Sequence, residues 1–249
     1  MRFTTLISFL LLCVISVSCT EDDYANIEAA ERQYASLYLD IKYGDRPAAR
    51  QHAKQFENDV QQLGLNWVSP NSVGSEDVFR FRLRRARKAW EATRFAIDED
   101  NLPLAALQLD RATYEMSVAH PASFNRLQLG KLYPGLSSWA TLQSILEDEK
   151  YCGYGWEQIG YYHDKLARNF AELNTLHPLE AFYARNAAEA DEYQRKIGAI
   201  NLQLESLEKS INFQDRKLIL LEMDRTDQAI DELIKYFSLP EQEGQEVEL

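Results

Sequence analysis

Apolar residues recur at three- and four-residue spacing along nearly the whole chain from about residue 27 to residue 237. That period puts apolar side chains on one face of an α-helix, whereas a half-buried β-strand requires strict alternation. The 10 glycines, 7 prolines and few valines in 249 residues leave little material for the turns and β-branched strands of an all-β fold. The sequence therefore predicts an all-α protein of antiparallel helical hairpins, with a helical domain over 27–237.

The charge of the chain excludes one large class of functions. It has 39 acidic and 27 basic residues, which gives a formal net charge of -12. Proteins that bind nucleic acids need basic surface to displace the counterions of the phosphates. We therefore expect no nucleic-acid partner.

The first eighteen residues have the layout of an export signal. Arg2 supplies a positive charge, and Leu6 to Val17 form an apolar run that is too short for a membrane span of about twenty residues. The run ends in small residues before Cys19. This pattern resembles the signal peptide of bacterial lipoproteins, although Ser16 stands where leucine is usual. Ordinary secretion of a soluble product is the alternative interpretation.

The resemblance implies a lipid anchor in the bacterial outer membrane, facing the periplasm or the cell surface. In that family the signal peptide is cut before the cysteine, so Cys19 is the expected lipid attachment site for acyl chains such as palmitate. Two or more acyl chains hold a protein stably in a membrane. Thr20 replaces the aspartate that marks inner-membrane retention in enteric lipoproteins. Residues 19–26 are expected to form a tether.

Two helix pairs in the first half of the domain share one turn pattern. An offset of 56 residues superposes four pairs of similar residues, Ile41 on Ile97, Asp45 on Asn101, Pro47 on Pro103 and Ala49 on Ala105. The repeat predicts two helix-turn-helix units, each capped by the polar residue of the pattern. Ala105 and Ala112 resemble the small residues of tetratricopeptide hairpins, but the early tryptophan and the 34-residue period of that family are missing. A generic antiparallel bundle is the alternative.

Breaks divide the second half of the chain. His120-Pro121 ends the fourth helix, and Tyr133-Pro134-Gly135 is expected to split the next segment into shorter helices. A possible sub-boundary lies near residues 150–156, which include Cys152. A long C-terminal hairpin follows, with a helix up to about Ile211 that folds back at the polar stretch 212–216. Residues 238–249 contain Pro240 and four glutamates and are expected to be a disordered acidic tail.

No catalytic or cofactor motif stands out in the sequence. None of the four histidines follows a glutamate at the three-residue spacing of di-iron bundles, and motifs for haem attachment or zinc proteolysis are absent. We therefore expect no enzyme activity, no metal and no cofactor. A second hypothesis is a helical bundle that binds a small ligand, metal or cofactor in its core through His52, His120 or His163.

One basic segment stands out in this acidic chain, because residues 80–88 contain six arginines and lysines. Helical spacing puts four of these cations on one side of the helix, Arg80, Arg84, Arg87 and Lys88, with Trp90 on the core side. The four cations either pair with acidic neighbouring helices or form a docking site for an acidic partner or a lipid headgroup.

The aromatic residues around Tyr151 to Tyr162 and at Trp139 form a second candidate surface, although aromatic residues at helical spacing are more often core.

Together these features support a leading hypothesis. The protein is expected to be a non-enzymatic helical scaffold, anchored to the membrane by acyl chains, that binds an envelope protein partner.

Overall fold

The computed structural model describes residues 21–62, 76–119, 128–147, 155–173 and 187–238. Within these ranges the chain forms eight α-helices and no strand, so the predicted all-α fold is confirmed. In chain order the helices are α1 (Glu21–Tyr43), α2 (Arg46–Gln62), α3 (Glu76–Asp98), α4 (Leu102–Ala119), α5 (Gln128–Glu147), α6 (Trp156–Leu173), α7 (Ala187–Phe213) and α8 (Arg216–Phe237). Several residues of interest lie outside the described residues, namely Cys19, His120, Cys152 and the segment 239–249.

Helices that follow each other in the chain pack as hairpins. The contacts between α1 and α2, between α3 and α4, and between α7 and α8 are the most extensive. The helix α1 also contacts α4, α5 and α8. It therefore lies at the centre of the bundle and joins the two halves.

Three hairpins close with the same turn, and two of these turns match the 56-residue repeat. In each turn the residue directly before the capping residue has a left-handed backbone. These residues are Gly44 (φ 84), Asp100 (φ 60) and Gln214 (φ 56). The next side chain accepts a hydrogen bond from the backbone N–H three residues later, in the cases of Asp45, Asn101 and Asp215. The repeat therefore predicted a real turn geometry, and the C-terminal hairpin folds back within the stretch 212–216.

Two hydrophobic clusters meet along α1. The larger cluster combines residues of α5, α6, α7 and α8 with Ala35 and Leu39 of α1. The smaller one combines α2, α3 and α4 with Leu37 and Ile41. Tyr34 packs against both clusters. Opposite sides of one helix therefore supply two cores.

The helix α5 corrects one expectation. The sequence predicted a division at Tyr133-Pro134-Gly135, but α5 continues through Pro134. The proline lacks the N–H that would continue the backbone ladder. Its carbonyl accepts a hydrogen bond from Asn169 Nδ2 at 3.0 Å, and a Cβ on Gly135 would lie 3.0 Å from the Phe170 ring. These contacts fasten the helix to α6 at the proline, so that α5 packs as one element across Pro134.

The helix α1 begins earlier than the sequence suggested. Residues 21–26 were assigned to a tether, but α1 starts at Glu21 and includes them.

A cluster of charged residues ties α1 to α5 and α8. Lys42 Nζ lies 2.5 Å from Asp231 Oδ1 and 2.8 Å from Asp227 Oδ2. Trp139 Nε1 donates a hydrogen bond to Asp227 at 2.9 Å, and the Tyr43 hydroxyl donates one to Asp231. The hydrogen bond to Asp231 raises the pKa of Tyr43 to about 12. These contacts replace the water that the buried Asp231 carboxylate has lost.

Replacing Lys42 with methionine is expected to destabilise the protein strongly. The Lys42→Met variant leaves the buried Asp231 without its cation, which should reduce the free energy of unfolding by about 3 kcal/mol. The measurement is urea unfolding at pH 7. Lys235→Met is the matched control, because Lys235 pairs with the exposed Glu232 and should cost less than about 1 kcal/mol. Equal losses in the two variants would contradict the assigned role of Lys42.

Candidate functional site

The structure separates the four basic residues that the sequence grouped together. Arg84 and Lys88 are exposed on α3, and neither forms an ion pair within the described part of the chain. Arg87 is also exposed but pairs with Glu91 at 3.1 Å, one turn further along the same helix. The side chain of Arg80 lies outside what the structure describes. Arg84 and Lys88 are therefore the members of the group that are available to a partner.

Two other arginines of the same segment have a role that the sequence did not indicate. They bind Glu115 of α4, whose side chain is 1% exposed. Arg82 Nη1 lies 2.9 Å from Glu115 Oε2, and Arg85 Nε lies 2.7 Å from Glu115 Oε1. The hydrogen bond to Glu115 raises the pKa of Arg82. This double ion pair fixes α3 and α4 side by side, because the buried carboxylate is costly without both cations.

The hairpin of α3 and α4 buries mostly alanines, together with Ile97 and Leu109, and exposes several large apolar residues. Its buried apolar residues include six alanines, Ala86, Ala89, Ala96, Ala105, Ala112 and Ala119. Its exposed large apolar residues include Phe81, Phe95, Leu104, Leu107, Tyr114 and Val118. Burying a large apolar side chain stabilises a fold by about 1.5–3 kcal/mol. Folding alone therefore favours large residues inside the hairpin and does not explain why these are exposed. Contiguous exposed apolar surface of this kind marks interaction sites.

The exposed apolar residues and the unpaired cations share one side of the hairpin. On each helix they recur at spacings of three, four or seven residues, which places them on one face of that helix, turned away from the buried core residues. We name this surface the outer face and define it by Phe81, Arg84, Lys88 and Phe95 of α3 and Leu104, Leu107, Arg111, Tyr114 and Val118 of α4. Arg111 is exposed and, like Arg84, has no ion pair among the described residues. The outer face therefore combines six apolar side chains with three cations.

Tyrosine hydroxyls fix the other edge of α4. The Tyr34 hydroxyl and Thr113 Oγ1 are hydrogen-bonded at 2.7 Å, and the Tyr133 hydroxyl donates to Asp110 Oδ1 at 3.2 Å. Burial raises the pKa of Tyr34 to about 12 and also raises the pKa of Asp110. These bonds join α4 to α1 and α5. The helix α4 is therefore held by α3 on one edge and by α1 and α5 on the other. This keeps its part of the outer face rigid, which is what a binding surface requires.

The raised pKa of Asp110 predicts a pH-dependent gain in stability for Asp110→Asn. A raised pKa means that the folded state binds this proton more tightly than the unfolded state does. The protonated carboxyl group therefore favours the folded state. This contribution to stability is complete below pH 3.8, the ordinary pKa of an aspartate, and is lost as the pH rises through the pKa of Asp110 in the folded protein. Asparagine keeps an acceptor for Tyr133 and carries no charge. The variant should therefore be more stable than the wild type at pH 7, and this advantage should shrink towards pH 3.

Thermal unfolding of both proteins between pH 3 and pH 7 measures this difference. Asp224→Asn is the control, because Asp224 is an exposed residue of α8. A gain for Asp110→Asn that stays the same across this pH range would show that the lost charge is not its cause.

The two proposed histidines that the structure describes, His52 and His163, lie on different helices. His52 of α2 is hydrogen-bonded through Nδ1 to Asp40. His163 of α6 is buried, and its Nε2 is hydrogen-bonded to the Leu204 carbonyl at 2.9 Å. In the described ranges, no group of three or more histidine, cysteine, aspartate or glutamate side chains could hold a metal ion. Both described histidines thus bond protein oxygens and lie on different hairpins.

The aromatic residues of the second candidate surface divide between core and solvent. Trp139 is 2% exposed and belongs to the larger cluster. Trp156 and Tyr161 of α6 are exposed, while Tyr151 lies outside the described residues. Trp90 is partly buried on the core side of α3, as its spacing predicted. These aromatic residues do not form one surface.

No family model matches the chain, and neither a curated protein nor a solved structure does. None of the helices described here is both long and apolar enough to cross a membrane. The outer face is therefore the feature of the described fold from which a function can be inferred.

Proposed function

We propose that this protein is a lipid-anchored, non-enzymatic helical scaffold that binds an acidic protein partner through the outer face. The observation that carries the proposal is the exposure of large apolar side chains on a hairpin that buries alanines. Apolar side chains at the centre of a protein interface supply affinity, whereas charged residues orient the partner and select against wrong ones. The unpaired cations Arg84, Lys88 and Arg111 favour a partner of negative charge.

The size of the outer face favours a helical partner. From Phe81 to Phe95 it is about 20 Å long, and two helices side by side make it about 20 Å wide. That area is roughly half of the 800 Å² that each partner buries in a standard interface. An amphipathic helix with acidic flanks fits a surface of this shape, because its apolar stripe can lie between α3 and α4. Binding of this size is expected to be reversible.

The proposed anchor, Cys19, is close in the sequence to the helix that organises the fold. The helix α1 begins at Glu21, two residues after the cysteine, and both hydrophobic clusters depend on α1. Lipid on Cys19 would therefore hold the bundle directly at the membrane, which by the resemblance to lipoproteins is the outer membrane. The partner is then another protein of the cell envelope.

Replacement of Cys19 with alanine is expected to abolish lipid attachment. Without the thiol no diacylglycerol can be added, so the precursor should remain uncleaved or be processed incorrectly. Metabolic labelling with palmitate and membrane fractionation after an alkaline wash measure the two effects. Cys152→Ala is the control, because it removes a cysteine outside the signal and should keep the label. A Cys19→Ala protein of mature size that still carries palmitate would contradict the lipoprotein hypothesis.

Removal of the unpaired cations is expected to weaken partner capture without loss of stability. If each of two lost contacts contributes about 0.5 kcal/mol, Arg84→Gln combined with Lys88→Gln should lower the affinity about fivefold. The effect should fade as salt is added, because exposed charges are screened. Pull-down from solubilised envelope at low and high salt measures the capture, and thermal melts measure stability.

Two further double variants sharpen this experiment. Arg195→Gln with Lys209→Gln removes the same charge from exposed positions of α7 and should leave capture unchanged. Leu107→Ser with Tyr114→Ser removes apolar surface and should reduce capture at every salt concentration. Equal capture by all variants and the wild type would rule out docking through the outer face.

A further inference from the structure

The segment 239–249 has the chemistry that complements the outer face. It contains four glutamates and no basic residue, together with the apolar residues Leu239, Val247 and Leu249. The outer face offers three unpaired cations beside apolar side chains. The two surfaces are therefore matched in both charge and hydrophobicity.

The last described residue lies at the same level of the bundle as one end of the outer face. The Ser238 carbonyl accepts a hydrogen bond from Arg32 of α1 at 3.3 Å. Two residues further along α1, Tyr34 is bonded to Thr113, the neighbour of Tyr114 in the outer face. Because a helix rises 1.5 Å per residue, Ser238 and Tyr114 are at similar heights along α1.

The segment is long enough to reach the outer face. Packed helices lie about 8–10 Å apart, so a path from Ser238 past α1 and around α4 is roughly 20–25 Å. Eleven residues in extended conformation span up to about 36 Å. The remaining length covers the half of the outer face that includes Tyr114, Arg111 and Lys88, whereas the end near Phe95 lies beyond its reach.

We infer that the end of segment 239–249 covers this half of the outer face in its own chain, with Glu246 and Glu248 against the cations Arg84, Lys88 and Arg111. The segment thereby competes with the acidic partner, and this role rests on the proposed function. The contact between the segment and the outer face does not depend on that function. A tethered segment acts at an effective concentration on the order of 1 mM. A dissociation constant of about 0.1 mM is then sufficient to cover the face in about nine-tenths of the molecules. An amphipathic helix of higher affinity can still displace the segment.

Amine labelling of Lys88 tests the contact without any partner. The whole mature chain is compared with a chain that ends at Ser238, which retains all eight described helices. Acetylation of Lys88, followed by mass spectrometry, should become about tenfold faster when the segment is removed, in proportion to the uncovered fraction. Lys209 of α7 is exposed and serves as the internal control whose rate should not change. Equal Lys88 rates in the two chains would overturn the inference.

A binding experiment tests the same contact in two parts. A fluorescent peptide of residues 239–249 is titrated into the chain that ends at Ser238, and anisotropy is recorded. We expect binding at about 0.1 mM that is several-fold weaker after Arg84→Gln with Lys88→Gln, and weaker still for a peptide with glutamine at all four glutamate positions. Binding that is unaffected by either change would overturn the inference, because it would not involve these charges.

Other occupants of the outer face give different results. Protection of Lys88 that depends on protein concentration, with a dimer in sedimentation, would assign the face to a second copy and overturn the inference. Equal binding of both chain lengths to vesicles that contain phosphatidylglycerol would assign it to lipid, with the same consequence.

Partner capture separates failure of the inference from failure of the proposed function. If Lys88 is protected but neither truncation nor Arg84→Gln with Lys88→Gln alters capture, the intramolecular contact stands and the proposed function fails. If Lys88 is not protected while capture depends on Arg84 and Lys88, the inference fails and the proposed function stands.

Discussion

The position of α1 between two hydrophobic clusters is the constraint on which the rest of the structure depends. One side of this helix supplies Ala35 and Leu39 to the larger cluster, and the other supplies Leu37 and Ile41 to the smaller one. Because the apolar surface of α1 is divided between two cores, its ion pairs and hydrogen bonds fix which helices pack beside it. Lys42 binds the two aspartates of α8, and a tyrosine hydroxyl of α1 reaches α4. These bonds fix α4 and the end of α8 relative to each other.

The arrangement of α3 and α4 follows from the small residues between them and from one buried carboxylate. Alanines such as Ala86 and Ala112 allow close approach of the two helices, while Glu115 requires both Arg82 and Arg85 beside it. Among the side chains of this hairpin that the structure describes, Ile97 and Leu109 are the only large apolar ones in the buried core. The large residues on its outside are therefore free to serve another contact, and their loss should affect binding more than folding.

Local sequence signals predicted the helices and turns, but contacts between helices were beyond them. The caps at Asp45 and Asn101 and the helical period depend on neighbouring residues, so they were readable. The ion pair between Arg82 and Glu115 joins residues on different helices, and no spacing rule indicates it. On α4 two apolar stripes recur at helical spacing, one through Leu109 and one through Leu107. Periodicity and the small residues beside Leu109 favour that stripe as the buried one, which is confirmed, but they do not indicate that the stripe through Leu107 forms a surface shared with α3.

The net charge of -12 changes how the proposed docking surface works. An acidic partner is repelled by the protein as a whole and attracted only within about one Debye length, roughly 8 Å, of the outer face. Added salt weakens both forces, so binding should depend on salt less steeply than three cations alone would require. With segment 239–249 in place, Glu246 and Glu248 offset most of the charge of Arg84, Lys88 and Arg111, and the attraction weakens. The segment would then slow the approach of the partner as well as occupy its site, because electrostatic attraction acts mainly on the association rate.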